Sequence, residues 1–156
     1  MLFNESNYKF MFAALQEAEY ALEENEVPIG AVVVHNNKII GRGRNQVERL
    51  NDATAHAEII AITAASNHLQ SKLLTECDLY VTLEPCLMCS GAILLARFNS
   101  IYFCSFEPKF GAAGSLYNLL DDNKYNHKVK VYSGIYENES RLMMETFFKS
   151  KRKKNK

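Results

Sequence analysis

Apolar residues near the start of the chain recur every three or four positions, which is the period of one face of an α-helix. The residues with this spacing are Tyr8, Met11, Leu15, Ala18 and Leu22. We therefore predict a helix over residues 8–22, with Asn4 or Ser6 as its N-cap.

Two β-rich runs follow this helix. Residues 28–34 and 38–40 flank an Asn-rich turn at residues 35–37, a pattern that predicts a β-hairpin. Residues 41–53 are rich in Gly, Arg and Asn and predict a loop. Three further short runs have the β-rich composition of strands, at residues 78–83, 100–104 and 129–132.

Helical patterns alternate with these strands. Residues 55–65 predict a helix with Thr54 as N-cap, and residues 85–97 are apolar almost all round, which is typical of a buried helix. A last helix is predicted from residue 137 to about residue 150. Strands separated by helices predict an α/β domain whose sheet is covered on both faces. Because no internal linker or repeat interrupts the pattern, we assign residues 1–150 to one domain and 151–156 to a basic tail.

Composition supports one globular domain, and the charge has an uneven distribution. The 156 residues are 47% hydrophobic and 23% charged, so a core of ordinary size is available. Eighteen basic and 18 acidic residues give a net charge of zero. Six of the basic residues lie in residues 149–156, which leaves 12 basic against 18 acidic residues in the remainder, a net charge of −6. We expect the tail to be disordered in the free protein and to contact phosphates in a complex.

Nothing in the sequence indicates a membrane or an oxidising compartment. No apolar run reaches the roughly 18 residues that span a bilayer, and residues 1–6 lack the order of a secretory signal. We therefore expect a cytoplasmic protein with reduced thiols. Of its four cysteines, Cys77 and Cys104 have no partner at metal-binding spacing, and we predict that both are buried free thiols.

The other two cysteines suggest metal chemistry. Cys86 and Cys89 are three residues apart near a predicted helix start, where the helix dipole favours the thiolates that bind metal. Catalytic zinc sites have three protein ligands and keep a fourth position for water. His56 is the candidate third ligand, and Glu58 is the candidate carboxylate that moves the proton of the water. Residues two apart do not face each other in mid-helix, so we place His56 and Glu58 at a helix end.

Simpler interpretations of each motif exist. A Cys-x-x-Cys pair alone could be a thiol redox centre, and His-x-Glu alone is common by chance. A structural zinc module that only binds RNA would need a fourth protein ligand, and no other Cys or His has suitable spacing. The motifs together, His-x-Glu and then Pro-Cys-x-x-Cys, match the signature of zinc deaminases.

The motifs also carry a resemblance to a known family. Residues 26–34, 54–59 and 79–89 resemble the cytidine deaminase-like superfamily, while the Lys and small-residue loop at 109–115 and the Phe-Phe pair at 147–148 are similar to bacterial tRNA-specific adenosine deaminases. The resemblance covers nearly the whole chain. It implies a three-layer α/β/α fold with a central five-stranded mixed sheet, and a homodimer.

The same resemblance implies an activity. It is the hydrolytic deamination of adenosine to inosine at the wobble position of the tRNA anticodon, in arginine tRNA above all. One Zn²⁺ ion per subunit, held by His56, Cys86 and Cys89, would activate the water, and Glu58 would be the proton shuttle. The tRNA anticodon stem-loop would be the macromolecular partner.

The resemblance also places substrate contacts. Asn45 matches a position that contacts the target nucleoside, and Lys109 lies in a stretch near the anticodon nucleotides. Glu107 stands where the family more often has Asp. Independently of the resemblance, we expect most of the apolar stripe within residues 142–148 to be core packing and choose Phe148 as the residue that could stack on an anticodon base. The alternative is deamination of a free base or nucleoside of the guanine or cytosine type, since the zinc chemistry is the same. Such an enzyme has no use for a basic tail or for Lys109.

Overall fold

The computed structural model describes residues 2–155. The first helix, α1, spans Glu5–Glu23, and its N-cap is Asn4, whose side chain accepts a 2.9 Å hydrogen bond from the backbone N–H of Asn7. Of the two candidate caps, the structure therefore selects Asn4. The buried face of α1 includes Phe10, Met11 and Ala14.

The predicted hairpin is confirmed. Strand β1 spans Gly30–His35 and strand β2 spans Lys38–Arg44, and they pair antiparallel. Asn36 and Asn37 form the turn with φ angles of 50° and 61°, the left-handed conformation that Asn tolerates well.

Strand β2 is longer than predicted, because residues 41–44 belong to the strand and not to a loop. The reason is a close approach by helix α3, which spans Ala57–Leu69. A Cβ atom on Gly43 would clash with the carbonyl oxygen of Ala57, and one on Gly41 would clash with the backbone of Ala61. The two glycines that indicated a loop are the residues that let the helix pack on this strand.

Helix α3 begins later than predicted. Thr54 is not its cap, because the Thr54 backbone N–H and hydroxyl both donate to Asp52 Oδ1 at 2.8 Å. His56 occupies the N-cap position with an extended backbone, φ −79° and ψ 151°. A four-residue helix that the sequence did not predict, α2, spans Val47–Leu50 before this turn.

The second half of the chain follows the predicted order, and the elements are β3 Cys77–Leu83, α4 Leu87–Ala96, β4 Ser100–Ser105, a 3₁₀ turn Leu119–Asp121, β5 Lys130–Ser133 and α5 Glu137–Lys154. Helix α4 starts after Pro85, with Cys86 as its N-cap, and not at Pro85 itself.

Helix α5 continues four residues beyond its predicted end. The expected disorder of the basic tail is therefore wrong for residues 151–154, whose positive charges suit the C-terminal end of the helix dipole.

The sheet has the predicted five strands and mixed directions, in the order β2-β1-β3-β4-β5. Strand β1 is antiparallel to both neighbours, and β3, β4 and β5 are parallel. Alternate side chains point to opposite faces. Val33 and Leu79 pack against α3 and α4, and Val32 and Tyr80 pack against α1, which makes three layers.

The two isolated cysteines are buried free thiols, as predicted. Burial raises the pKa of Cys77 to about 11 and raises that of Cys104 further. Across residues 2–155, none of the helices combines the length and the apolar character that crossing a bilayer requires.

Candidate metal centre and active-site cavity

The starts of α3 and α4 lie side by side and bring three metal-binding side chains together. One ligand atom each of His56, Cys86 and Cys89 lies within 4.8 Å of the others. The His56 Nδ1 atom is 3.6 Å from both sulfur atoms. Within residues 2–155, this is the one group of three or more His, Cys, Asp or Glu residues with the spacing for a metal ion.

The backbone explains this convergence. His56 and Cys86 are both N-cap residues with extended backbones, and neither side chain makes an N-capping hydrogen bond. Their side chains are therefore free to face each other across the gap between the helices. Cys89 lies in the first turn of α4 and is fully buried. Because the backbone of His56 is extended and not helical, the helical spacing rule does not apply to the pair His56 and Glu58. Their side chains therefore line the same cavity although they are two residues apart.

The donor set fits a zinc ion of the catalytic kind. Zinc bonds of about 2.3 Å to sulfur and 2.0–2.1 Å to nitrogen, at a tetrahedral angle, separate nitrogen from sulfur by about 3.6 Å. The observed separations between His56 Nδ1 and the sulfurs have this value. Two thiols and one imidazole give three ligands, which leaves one position for water or substrate.

The electrostatics favour metal binding as well. The Cys89 thiol and the His56 ring both hydrogen-bond to the Cys86 sulfur and lower the pKa of Cys86 to about 4. The same thiolate raises the pKa of Cys89 and, with Glu58, holds the pKa of His56 above its ordinary value. One thiolate is therefore already formed, and binding of a metal would displace the proton of the second thiol.

Glu58 lies beside the cluster and is not one of its members. Its side chain is 4% exposed, and burial raises its pKa to about 7. The neighbouring Cys89 thiol acts in the opposite direction and lowers the pKa of Glu58, but by less than burial raises it. A carboxyl group with a pKa near neutrality can both accept and donate a proton during a reaction cycle.

A cavity of about 460 Å³ opens over these groups. This volume lies within the range of about 300–1,000 Å³ that is usual for small-molecule sites. Its polar lining consists of His56, Glu58, Glu84, Cys86 and Glu107. Its other walls are largely apolar, and their apolar side chains are Val27, Ile29, Leu83, Phe110, Met144 and Phe148.

The structure brings three of the four predicted substrate contacts to the cavities around His56 and Glu58. Asn45 lines a second cavity, of about 810 Å³, that also contains His56, Glu58 and Phe148. Glu107 and Phe148 line the 460 Å³ cavity. Lys109 lies further out, in a cavity of about 630 Å³ that shares Glu107 and Phe148 with it.

Two buried carboxylates near the site were not singled out from the sequence. Glu26 accepts hydrogen bonds from the backbone N–H groups of Glu48 and Arg49, and Glu84 accepts four from the loop after β4. The sequence does contain a hint of both residues, because each acid lies at the end of a predicted apolar strand. Glu26 lies just before Val27-Pro28, and Glu84 lies just before Pro85.

Comparisons with known proteins agree with this geometry. The cytidine and deoxycytidylate deaminase zinc-binding region matches residues 4–105, which contain all three donors and Glu58. The chain belongs to this deaminase family. Membership confirms the resemblance to the cytidine deaminase-like superfamily. The family region is described as zinc-binding, and the His56, Cys86 and Cys89 donors are consistent with zinc.

Individual relatives are similar over most of the deaminase chain. The tRNA-specific adenosine deaminase of Streptococcus pyogenes serotype M18 is 45% identical over 147 residues, which cover 94% of this chain and 92% of the relative. A solved structure from a study of A-to-I editing by tRNA:A34 deaminases at the wobble position of transfer RNA is 45% identical, with a TM-score of 0.83. It covers 86% of this chain and 98% of that one, and confirms the predicted fold.

A guanine deaminase is similar over less of the chain. The structure of the guanine deaminase from Bacillus subtilis is 37% identical, with a TM-score of 0.61, and the match covers 67% of this chain and 66% of that one. The shared part shows that the same deaminase framework accommodates different substrates in different proteins.

Proposed function

We propose that this deaminase converts adenosine to inosine at the wobble position of a tRNA anticodon, in arginine tRNA above all. One observation carries the choice of RNA over a free base. The 810 Å³ cavity over His56 and Glu58 is also lined by Lys151, from the basic end of α5, and Arg152 lines the adjoining 630 Å³ cavity. Cations beside the catalytic groups suit a substrate with a phosphate backbone.

His56, Cys86 and Cys89 are the residues that would hold one zinc ion per chain. When bound, zinc supplies the Lewis acidity that makes water nucleophilic near neutral pH. Three protein ligands would leave one position for water, and His56, Cys86 and Glu58 line the 460 Å³ cavity that the target base would enter.

Glu58 moves the protons. Its carboxylate accepts a proton from the attacking water and delivers it to the purine ring, and then assists proton transfer to the leaving amino group. The water oxygen forms a bond to C6, the second proton of the water passes through Glu58 to the amino group, and the C6–N bond then breaks as the C6 carbonyl forms, so that ammonia leaves and Glu58 is again a carboxylate. Burial of Glu58, with its pKa of about 7, suits a group that changes protonation twice per cycle.

Other residues hold the base and exclude water. The side-chain amide of Asn45 accepts from the Val47 N–H and donates to the Val27 carbonyl, which fixes its orientation and leaves further hydrogen-bonding capacity for a nucleoside. Phe148 is partly exposed at the boundary of all three cavities, a position suited to stacking on a base. An anticodon loop already presents unstacked bases, so little stacking energy is lost on entry.

The alternative function is deamination of a free base, which the similarity with guanine deaminase supports. A substrate assay separates it from the proposed function. We expect inosine and ammonia from an arginine-tRNA anticodon stem-loop with adenosine at the wobble position, because the basic turn of α5 adds binding energy only for RNA. Guanine, cytosine and free adenosine, assayed beside it by mass spectrometry, should give no product. Product from the free bases and none from the stem-loop would overturn the assignment.

Glu58→Gln is expected to keep one zinc ion per chain and to lower the rate of inosine formation by at least about 100-fold, since general acid–base catalysis contributes that much. Metal analysis and single-turnover assays measure the two effects. The control is Glu76→Gln, whose side chain is 82% exposed beside His35. Loss of zinc from Glu58→Gln would make Glu58 a ligand, and near-normal activity would remove it from the mechanism.

Replacing Lys151, Arg152, Lys153 and Lys154 together by Gln should weaken stem-loop binding and flatten its dependence on salt. Each lost phosphate contact lowers the slope of log K against log salt by about 0.7–0.9. Gln keeps the helix propensity of this last turn. A matched control replaces four exposed lysines away from the cavities, namely Lys9, Lys38, Lys72 and Lys124. An equal slope in both variants would show that α5 does not contact phosphates.

We also propose a homodimer formed through α4. Leu87 and Leu95 lie on one face of this helix and are 60% and 81% exposed, beside the partly exposed Tyr125. Exposed apolar side chains grouped on one face are typical of an interface. Leu95→Glu should give monomers in sedimentation analysis, whereas Leu142→Glu, at an exposed position of α5, should not. Monomers of the unsubstituted protein would exclude the dimer.

Because the proposed substrate is a tRNA, the cytoplasm remains the expected location of the protein.

A further inference from the structure

Glu84 is a buried carboxylate whose oxygens accept hydrogen bonds from three backbone N–H groups and one hydroxyl, and not from a cationic side chain. Its side chain is 3% exposed, and it takes part in no ion pair within residues 2–155. One oxygen, Oε1, accepts from the Glu107 N–H at 2.9 Å and from the Ser115 hydroxyl. The other, Oε2, accepts from the N–H groups of Ala113 and Ser115 at 3.1 and 2.9 Å.

These four bonds all come from one loop. Residues 106–116, which we name the β4 loop, form the first part of the connection between β4 and the 3₁₀ turn. A single carboxylate thereby fixes both ends of the loop, since Glu107 and Ser115 lie eight positions apart in sequence. Such a group is stable in the interior only while its oxygens remain hydrogen-bonded.

The β4 loop also packs directly on the carboxylate. A Cβ atom on Gly111 would clash with the Glu84 carboxyl group. The Ala112 N–H donates to the Pro85 carbonyl at 2.9 Å, and Gly111 forms an isolated bridge with Cys86. The segment that ends with a proposed zinc ligand therefore also sets the position of the loop.

The loop in turn presents residues to the substrate side. Glu107 and Phe110 line the 460 Å³ cavity, and Phe110 is 71% exposed. Lys109 lines the adjoining cavity, and its backbone N–H donates to Glu107 Oε1 at 3.0 Å. The direction in which these three side chains point depends on a loop with little regular structure of its own.

We propose that Glu84 is a positioning residue that holds the β4 loop in the shape that binds RNA. It acts through the loop backbone, so it governs the KM for RNA more than the chemical step. The proposal deepens the proposed function and rests on it, because RNA is the ligand that the loop would contact.

The test begins with Glu84→Gln in the zinc-loaded protein. In the unsubstituted protein, each carboxylate oxygen of Glu84 accepts from at least one backbone N–H. In either orientation of the Gln side chain, its NH₂ group replaces one of these oxygens, so at least one backbone N–H faces a donor and loses its acceptor. We expect hydrogen exchange in residues 106–116 to accelerate by about tenfold or more, since these amides lose their partners. Exchange in strand β1 should not change.

Two further variants keep the result interpretable. Glu26→Gln also alters a buried carboxylate that accepts backbone hydrogen bonds, but its partners are Glu48 and Arg49, so its effect on exchange should be confined to α2. Ser115→Ala removes one hydroxyl donor and leaves the three backbone bonds to Glu84, so it should give a smaller acceleration in the β4 loop. It serves as the test variant if Glu84→Gln does not fold.

The kinetic expectation distinguishes positioning from general stability. For the stem-loop substrate, Glu84→Gln should raise KM by about tenfold and lower kcat by less than about threefold, with zinc content unchanged. Unchanged exchange in the β4 loop, unchanged KM, or loss of zinc with a matching fall in kcat would each overturn the proposal. Failure of the proposed function would instead appear in the unsubstituted protein, as absence of inosine from the stem-loop.

Discussion

The structure depends on one constraint, which is that two helices must begin at the same place with their first residues extended. His56 and Cys86 are the N-cap residues of α3 and α4, and the His56 Nδ1 atom lies 3.6 Å from the Cys86 sulfur across the gap between the helices. Cys89, one turn into α4, completes the cluster. Close packing of α3 on β2 brings the first helix start to this position, and that packing requires glycine at residues 41 and 43.

Buried carboxylates organise the walls of the site around this centre. Glu26 binds the start of α2 and Glu84 binds the β4 loop, in each case through backbone N–H groups. For Glu58, the third buried acid at the site, burial outweighs the hydrogen bond from its own backbone N–H and raises its pKa to about 7. The difference in environment separates two structural acids from one that is free to exchange protons.

The chemistry was easier to predict from the sequence than the shape that supports it. The donors and Glu58 follow from residue types and spacing, because few other chemistries use them together. By contrast, the glycines of β2 look like loop residues until α3 is placed against them, and Thr54 looks like a cap until Asp52 is seen to bind it. The end of α5 was predicted too early because a run of positive charge resembles a disordered tail. The role of Glu84 could not be predicted, since its partners lie more than twenty residues away.

The central claim is that three residues from two helix starts hold one catalytic zinc ion and leave one position for water. X-ray absorption at the zinc edge of the purified protein tests it most directly. The account predicts one zinc ion per chain with two sulfur ligands at about 2.3 Å and two nitrogen or oxygen ligands at about 2.0–2.1 Å. A shell of four sulfurs, a shell without sulfur, or a zinc content far below one per chain would contradict it.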